Sequence, residues 1–405
     1  MFVMGNDQSK SRDGYAFPDV SDADVPVQYV RMNQDQNDQK LRDITDCVDE
    51  ENLSYARNIT KLFNPPFFGV WSIVTPNMIG PHARSGHFTV VDDDEQVAYI
   101  GYGTSSCGEQ LVDLWCLNLN NFCWREIKLI GNDATPRNGA RAVLVHSPIK
   151  RLFVFCGYIN RSYTNSFQAI DIDTGIVTDI QTYGNIPDRR STPVMQCNNN
   201  KIYMWGGYNG SWPNELHVLD LDTFEWSTFP CNEKGRTSIP SILYKNHILS
   251  YGGSHSEGIL TIDTLIPAVK ILPTTGFPPP CEIMSSGMVR SDNLLFYFGG
   301  KSKDSNWTVL YAYDIEKRWW FIFHVRPDGE TVTLSDGNVS ENGIFMLPRV
   351  HSFGVAYSRN RRTIVAFLGL PFTDPPNLFM INIGEALGFI NLRSDMGEAL
   401  LLTQF

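Results

Sequence analysis

The chain has 405 residues, of which 42% are hydrophobic and 12% aromatic, so it carries enough apolar material for a large core and is not wholly disordered. The formal net charge of −11 argues against nonspecific nucleic-acid binding. No window approaches the roughly 18 consecutive apolar residues that a membrane-spanning helix needs, and we find no secretory leader. We therefore expect a cytoplasmic protein.

Residues 1–66 form a polar, acidic N-terminal segment. Within residues 1–52, twelve acidic and five basic side chains give a net charge of −7, so the remainder of the chain carries only −4. Such a segment has too few large apolar residues to bury the surface that ordering requires, and we predict a mostly disordered tail. Apolar residues at helical spacing within 38–62 predict one or two short amphipathic helices inside it.

The first residues also contain a lipidation pattern. The sequence MGNDQS fits M-G-x-x-x-[ST], with Gly5 as the acceptor only if translation starts at Met4 and not at Met1. A single acyl chain gives marginal membrane binding, and the acidic tail would be repelled by anionic lipid. We expect at most weak, reversible membrane contact.

From residue 67 onward the sequence repeats itself. Arg84, Arg137 and Arg190 are spaced by 53 and 53 residues. Each unit contains an apolar strand that ends in glycine, and the six copies are VAYIGYG (97–103), LFVFCGY (152–158), IYMWGGY (202–208), ILSYGGS (248–254), LLFYFGG (294–300) and IVAFLGL (364–370). An alternating strand and then a strand that often carries Trp follow. Four short strands per unit can bury a face only when the units stack radially.

This pattern resembles the kelch repeat in its Gly-Gly pair, its Asn/Asp-x-Leu third strand and its fourth-strand Trp, as at Trp124 and Trp226. Some units depart from it, because Val177 stands where the second unit would have its Trp. The resemblance implies an all-β, six-bladed kelch-type β-propeller over residues 67–392, with 393–405 as a short C-terminal tail.

The number of units predicts how the ring closes. Five complete units run from 84 to 324, and three strands of a sixth run from about 351 to 383. Segment 68–74 begins with the fourth-strand pattern, Trp71 included, but no first three strands precede it. We therefore predict that 68–74 completes the last blade. Strand-like residues 387–393 are the alternative.

The sequence shows no catalytic or metal-binding constellation. Its eight cysteines form no C-x-x-C pair, and it holds no nucleophile elbow, P-loop or H-E-x-x-H motif. His87 and His351 occupy related first-strand positions typical of a structural histidine, while Asp171 and Asp220 recur at a predicted turn. We expect no cofactor, no metal and no enzyme activity. The alternative is an enzyme acting on a sugar or small metabolite in the central channel.

Four arginines recur at the start of the first strand: Arg84, Arg137, Arg190 and Arg236. They could donate hydrogen bonds to carbonyls of neighbouring blades. They could also form a ring of cations around the channel mouth, where carboxylates would bind. Both roles stay open at the level of sequence.

The loops between second and third strands (b–c loops) are long and varied, and they share a face with the loops between blades (d–a loops). Variable loops on one face mark a binding surface, so we predict a protein-interaction scaffold. The kelch family often pairs its propeller with a BTB domain, but residues 1–66 are too few for that fold. The predicted contact residues are Tyr158, Arg161, Tyr163, Arg190, Tyr208, Trp212, Lys301, Trp307 and Arg326. Their cationic surplus predicts an acidic peptide partner, and the chain's own acidic tail could occupy the same face.

An insertion separates the fifth and sixth units. Residues 325–350 are much longer than the other d–a loops. Long irregular loops are usually functional or disordered, and we predict a mobile lid or hairpin over the b–c face. Thr331–Leu334 is its one strand-like piece.

Overall fold

The structure is a computed structural model that describes residues 69–76, 80–131, 134–253, 258–340 and 345–384. Four predictions therefore fall outside the described residues: the tails 1–66 and 393–405, the alternative closing strand 387–393, and the lipidation site Gly5. No helix in the described ranges is long and apolar enough to cross a membrane.

The described residues form 32 strands and one short 3-10 helix (Leu334–Asp336). The first seven strands are β1 (Gly69–Val74), β2 (Arg84–Ser85), β3 (Phe88–Asp92), β4 (Val97–Gly101), β5 (Thr104–Ser105), β6 (Leu114–Asn118) and β7 (Trp124–Ile127). The next nine are β8 (Arg141–Val145), β9 (Arg151–Ile159), β10 (Ser162–Asp171), β11 (Val177–Asp179), β12 (Tyr183–Gly184), β13 (Val194–Asn198), β14 (Lys201–Trp205), β15 (Leu216–Asp220) and β16 (Glu225–Phe229). Blades four and five hold β17 (Ser241–Tyr244), β18 (His247–Ser250), β19 (Ile259–Asp263), β20 (Ala268–Leu272), β21 (Thr275–Gly276), β22 (Met284–Ser291), β23 (Leu294–Lys301), β24 (Trp307–Thr308), β25 (Leu310–Asp314) and β26 (Trp319–Phe323). The last six are β27 (Val325–Pro327), β28 (Asn338–Val339), β29 (Phe345–Pro348), β30 (Gly354–Ser358), β31 (Thr363–Phe367) and β32 (Leu378–Asn382).

Six four-stranded antiparallel sheets form the blades, as the resemblance predicts. From the inner to the outer strand they are β3-β4-β6-β7, β8-β9-β10-β11, β13-β14-β15-β16, β17-β18-β19-β20, β22-β23-β25-β26 and β30-β31-β32-β1. Each inner strand contacts the inner strands of the two flanking blades, and β30 of blade 6 contacts β3 of blade 1. The six blades therefore form a closed ring.

Strand β1 completes the last blade, which confirms the prediction for 68–74. It runs antiparallel to β32 with Trp71 opposite Ile381, and Trp71 is 2% exposed. The N-terminal strand thus covers an edge that would otherwise present unpaired backbone groups.

A ring of hydrogen bonds joins neighbouring blades at the ends of the second strands. One glycine of each blade donates its N–H to a carbonyl at the start of the next blade, at 2.8 to 3.0 Å: Gly103 to Arg137, Gly157 to Arg190, Gly207 to Arg236, Gly253 to Ile283, Gly300 to Val350 and Gly369 to Arg84. All six glycines have positive φ. At Gly103 a Cβ would lie 2.8 Å from the Ser85 carbonyl oxygen, so a larger residue would clash. The repeated glycine is required by this inter-blade contact.

Aromatic side chains of the outer strands pack between sheets. Trp226 of blade 3 is buried in one cluster with Phe155 and Phe153 of blade 2, and its ring centroid lies 5.5 Å from that of Phe155. Such a wide ring fills the wedge between two diverging blades. The fourth-strand Trp of the sequence pattern has this packing role.

The insertion 325–350 is built into the core, which corrects the mobile-lid alternative of the prediction, while β28 and β29 form a hairpin, which was the other alternative. Strand β27 runs parallel to β1, and the hairpin of β28 and β29 pairs with β24. Val332 and Phe345 are each 1% exposed within the largest core cluster. Thr331–Leu334 is not a strand, because the Thr331 N–H donates to Asp328 Oδ1 in a turn.

Candidate partner-binding face

The b–c and d–a loops lie on one face of the ring and pair with each other. In blade 1, β2 of the d–a segment pairs with β5 of the b–c loop. Isolated bridges join Tyr158 to Asn138 in blade 2 and Tyr208 to Ser191 in blade 3. The loops of this face are therefore a connected surface.

Blade 2 carries the longest regular projection on this face. Strands β9 and β10 form a hairpin in which Tyr158 lies opposite Tyr163. Its two-residue turn is Asn160-Arg161, with φ of 46° and 66°. Two successive positive φ values are typical of a type I′ turn, which matches the twist of a hairpin. Arg161 is exposed at the tip.

Four aromatic side chains form one continuous row across blades 2 and 3, which we call the aromatic row: Tyr158, Tyr163, Tyr208 and Trp212. Successive ring centroids lie 5.1, 6.1 and 5.3 Å apart. Trp212, at the end, is 61% exposed, and the three tyrosines are half-buried. Sequence analysis names all four residues, and the structure brings them together.

The polar tips of this row have no protein partner in the part of the chain that the structure describes. This holds for the three tyrosine hydroxyls and for the Trp212 indole N–H. Burial raises the pKa of the Tyr163 hydroxyl, and the neighbouring Tyr208 and Tyr158 raise it further. The Tyr163 hydroxyl therefore keeps its proton at neutral pH and can donate a hydrogen bond to a ligand.

A cleft of about 420 Å³ opens beside the row. Its lining is polar and comes from blades 2 and 3: Ser162, Tyr163, Asn165, Asp188, Arg189 and Asn209. Arg189 is exposed and Asn165 donates to the Pro187 carbonyl, which orients one wall of the cleft. Sequence analysis did not single out the serine, the two asparagines or Asp188. Their only signal in the sequence is that they flank the named aromatic residues.

The repeated arginines are structural. Arg84, Arg137, Arg190 and Arg236 are at most 3% exposed. In each case Nη1 donates to the carbonyl just before the inter-blade glycine: of Tyr102, Cys156, Gly206 and Gly252, respectively. They bond within their own blade and do not line the channel mouth as free cations.

Arg190 is therefore wrong as a predicted contact residue. It is 2% exposed, and its guanidinium donates to the Gly206 and Asp188 carbonyls. Its chain neighbour Arg189 is exposed and lines the cleft instead.

The remaining predicted residues lie away from the aromatic row. Lys301 is exposed at the end of β23 in blade 5, and Trp307 in β24 is half-buried opposite Pro348 of the insertion. Arg326 lies in β27, opposite Val70 of β1. These three residues do not join the four aromatic side chains in one site.

Side chains that hold the arginines were missed at the level of sequence. Arg84 Nη2 lies 2.7 Å from Asp113 Oδ2. Burial alone would raise the pKa of Asp113, but the hydrogen bonds and charge of Arg84 outweigh it and lower that pKa. In blade 2 an amide replaces the acid, because Arg137 Nη2 donates to Gln168 Oε1 at 2.7 Å.

The buried histidines are neutral packing groups. Burial lowers the pKa of His87 to about 3 and that of His217 to about 4, with nearby arginine charge adding to the shift in both. Both therefore lack a charge at neutral pH. The predicted structural role of His87 agrees with its burial.

One acidic cluster on the opposite face has the composition of a cation site. Asp92, Asp94 and His146 lie close enough to share an ion, but Lys150 Nζ lies 2.6 Å from Asp92 Oδ2 and 2.6 Å from Glu95 Oε2. The lysine already supplies the countercharge. The recurring turn aspartates behave as predicted, because Asp171 and its equivalents accept backbone N–H bonds.

Comparisons with known proteins agree with this architecture. Residues 68–253 match the family model described as KLHDC2/KLHL20/DRC7 Kelch-repeats domain. Kelch domain-containing protein 2 of Mus musculus is 27% identical over 182 residues, which are 36% of this chain and 44% of that protein. The Bos taurus protein of the same name is 25% identical over 294 residues, 60% of this chain and 70% of that protein. Acyl-CoA-binding domain-containing protein 5 of Arabidopsis thaliana is 30% identical over 232 residues, covering 53% of this chain and 35% of that protein. The chain thus spans less than half of the mouse and plant relatives.

Proposed function

The chain belongs to the kelch-repeat family, and from that premise we propose that its propeller is a protein-binding scaffold whose partner docks on the aromatic row. Kelch-repeat domains are generally protein-interaction modules rather than enzymes. The observation that carries the proposal is the row itself: four contacting rings on one loop face, with polar tips that no described residue satisfies.

Tyr and Trp are the residue types that dominate interface hot spots, because each buries a large rigid area and carries a polar handle. Trp212 leaves 61% of its side-chain surface in water, next to the half-buried Tyr208. A partner that covers this ring gains the hydrophobic free energy that the free protein forgoes. The exposed Trp is thus the expected anchor.

Charge supports an acidic partner. Arg161 at the hairpin tip and Arg189 in the cleft are both exposed cations beside the row, in a chain whose net charge is −11. Asp188 in the cleft offsets part of this charge, so recognition is expected to favour carboxylates near Arg161. A cytoplasmic scaffold that binds an acidic segment of another protein fits these features.

The test is partner capture with two variants and one control. Proteins retained by the full chain are identified by mass spectrometry, and their affinities are then measured with Trp212→Ala and Arg161→Glu. Each variant should weaken binding by roughly 2 kcal/mol or more and leave the melting temperature nearly unchanged.

Leu265→Ala is the matched control. Leu265 is also a large exposed apolar side chain, at 66%, but it lies in the turn after β19, at the end of the blade opposite the b–c loops. If partners are lost with Leu265→Ala and kept with Trp212→Ala, the proposed face is wrong.

A further inference from the structure

The backbone at Tyr158 and Tyr208 cannot accept a β-strand. The N–H and carbonyl of Tyr158 are both bonded to Asn138, and those of Tyr208 are both bonded to Ser191. Adding a strand requires unpaired backbone donors and acceptors at a sheet edge. Recognition at these positions must therefore come from side chains.

The cleft beside the row also does not fit an amphipathic helix. Helix-in-groove recognition needs an apolar groove that receives anchors at helical spacing. Here the lining next to Tyr163 is made of hydroxyl, amide and charged groups, such as Asn165, Arg189 and Asn209. A helical partner would leave these groups unpaired against its apolar face.

What the row offers is an excess of donors set between aromatic rings. Three tyrosine hydroxyls and the Trp212 indole N–H point to no described protein acceptor. A polyproline II segment has the complementary chemistry, because its backbone carbonyls are free of internal hydrogen bonds and its prolines carry no N–H. Aromatic-lined grooves are the recurring way in which proteins bind such segments.

We propose that the aromatic row binds a proline-rich, acidic segment of a partner protein in the polyproline II conformation. The inference rests on the proposed function and names the chemistry of the partner. Polyproline II rises about 3.1 Å per residue with three residues per turn, so one face of the segment can run along the row of contacting rings. Prolines on that face pack on the exposed sides of the rings, and flanking carboxylates pair with Arg161.

Isothermal titration of the full chain with synthetic peptides tests this. The acidic proline peptide DDPAPPAPPADD should bind at least about tenfold more tightly than its serine counterpart DDSASSASSADD, because the proline chain is preorganised. Both peptides carry the same charge. Trp212→Ala should abolish the difference, whereas Leu265→Ala should keep it.

Tyr163→Phe separates the donors from the rings. It retains the ring that contacts Tyr158 and Tyr208 edge to face but removes one hydroxyl, so it should weaken binding of the proline peptide by roughly threefold to tenfold. Circular dichroism and thermal melting show that the variant is folded.

Several results would overturn the inference. The inference is contradicted if the two peptides bind equally, if neither binds, or if binding survives Trp212→Ala. It is also contradicted if the row binds maltohexaose, a probe for the alternative sugar ligand, in place of the peptide. The proposed function fails on a different result, namely captured partners that do not depend on Trp212. A partner that needs Trp212 but whose binding segment lacks proline overturns the ligand class alone.

Discussion

Blades 2 and 3 and blade 5 use the same loop positions in opposite ways. In blade 3 the b–c loop holds Trp212 in water, 61% exposed, beside Tyr208. In blade 5 the corresponding loop holds Trp307 in β24, which pairs with Pro348 of the insertion. Blades 2 and 3 therefore present their loop aromatics, whereas blade 5 covers Trp307 with the insertion.

The difference shows that a repeat position does not by itself make a binding residue. Trp307 of blade 5 already has an intramolecular partner, because its strand β24 pairs with β29 of the insertion and places Trp307 opposite Pro348. On blades 2 and 3 no described segment of the chain covers Tyr163 or Trp212. The exposure of the loop aromatics is thus asymmetric on a nearly sixfold frame.

The largest expected effect on stability comes from removing the insertion that covers Trp307. Replacing residues 328–348 with a Gly-Ser linker should lower the free energy of unfolding by more than about 5 kcal/mol, since Val332, Phe345 and Leu347 are buried and each contributes about 1.5–3 kcal/mol. Urea denaturation measures it. The matched change on blades 2 and 3 is Arg161→Gly. Because φ of Arg161 is already positive, this change should alter the free energy of unfolding by less than about 1 kcal/mol. A linker variant of unchanged stability would restore the mobile-lid interpretation.

Strand β1, which closes the ring, contacts the insertion 325–350. Trp71 of β1 lies 6.0 Å from Phe345 of the insertion, centroid to centroid, and both are buried. Trp71→Ala should therefore cost about 3–5 kcal/mol of stability. Because the two rings contact each other, Trp71→Ala and Phe345→Ala together should cost less than the sum of the single changes, by about 0.5–3 kcal/mol. Strict additivity would show that closing strand and insertion are independent.

The pair Trp212→Ala and Trp307→Ala tests the comparison directly. Trp212→Ala should weaken partner binding by about 2 kcal/mol or more and leave stability within about 0.5 kcal/mol. Trp307→Ala should do the reverse and lower stability by about 2 kcal/mol, since its ring is half-buried against the insertion. Affinity and urea denaturation are measured on both variants. If both variants lose partner binding to the same extent, the proposed difference between the roles of Trp212 and Trp307 is wrong.

The ring and its closure could be predicted because they rest on repeated local signals. The glycine-ended strands recur six times, and Trp71 matches the fourth-strand position without any three-dimensional information. All four residues of the aromatic row were named as predicted contacts because Tyr and Trp dominate interface hot spots, and their role as contacts stays a prediction. What the pattern could not show is that their rings touch.

The wrong predictions have physical causes. Arg190 belongs to the repeat spaced by 53 residues, and that regularity already indicated a structural side chain, whereas the adjacent Arg189 lies outside the repeat. The burial of Val332 and Phe345 was missed because it depends on β1 and β24, which are distant in sequence. The periodicity of hydrophobic residues in a sequence indicates local secondary structure and not contacts between distant segments.

The smallest expected effect is a difference in pH dependence. Acid should lower the stability of the packed interior but leave partner affinity at the aromatic row unchanged. Burial lowers the pKa of His87 from 6.5 to about 3. The His87 imidazole therefore stays neutral in the folded protein, while in the unfolded chain it takes up a proton below pH 6.5. The stability from this group is complete above pH 6.5 and falls by about 1.4 kcal/mol for each pH unit towards pH 3. His87→Leu should therefore show a shallower loss of unfolding free energy between pH 6.5 and 5 than the unmodified chain, whatever its stability at neutral pH. Tyr163 and Trp212 do not change charge in that range, so partner affinity at pH 5.5 should match that at pH 7 while the protein remains folded. Parallel slopes for the two proteins would show that His87 does not control the acid sensitivity of the packed interior.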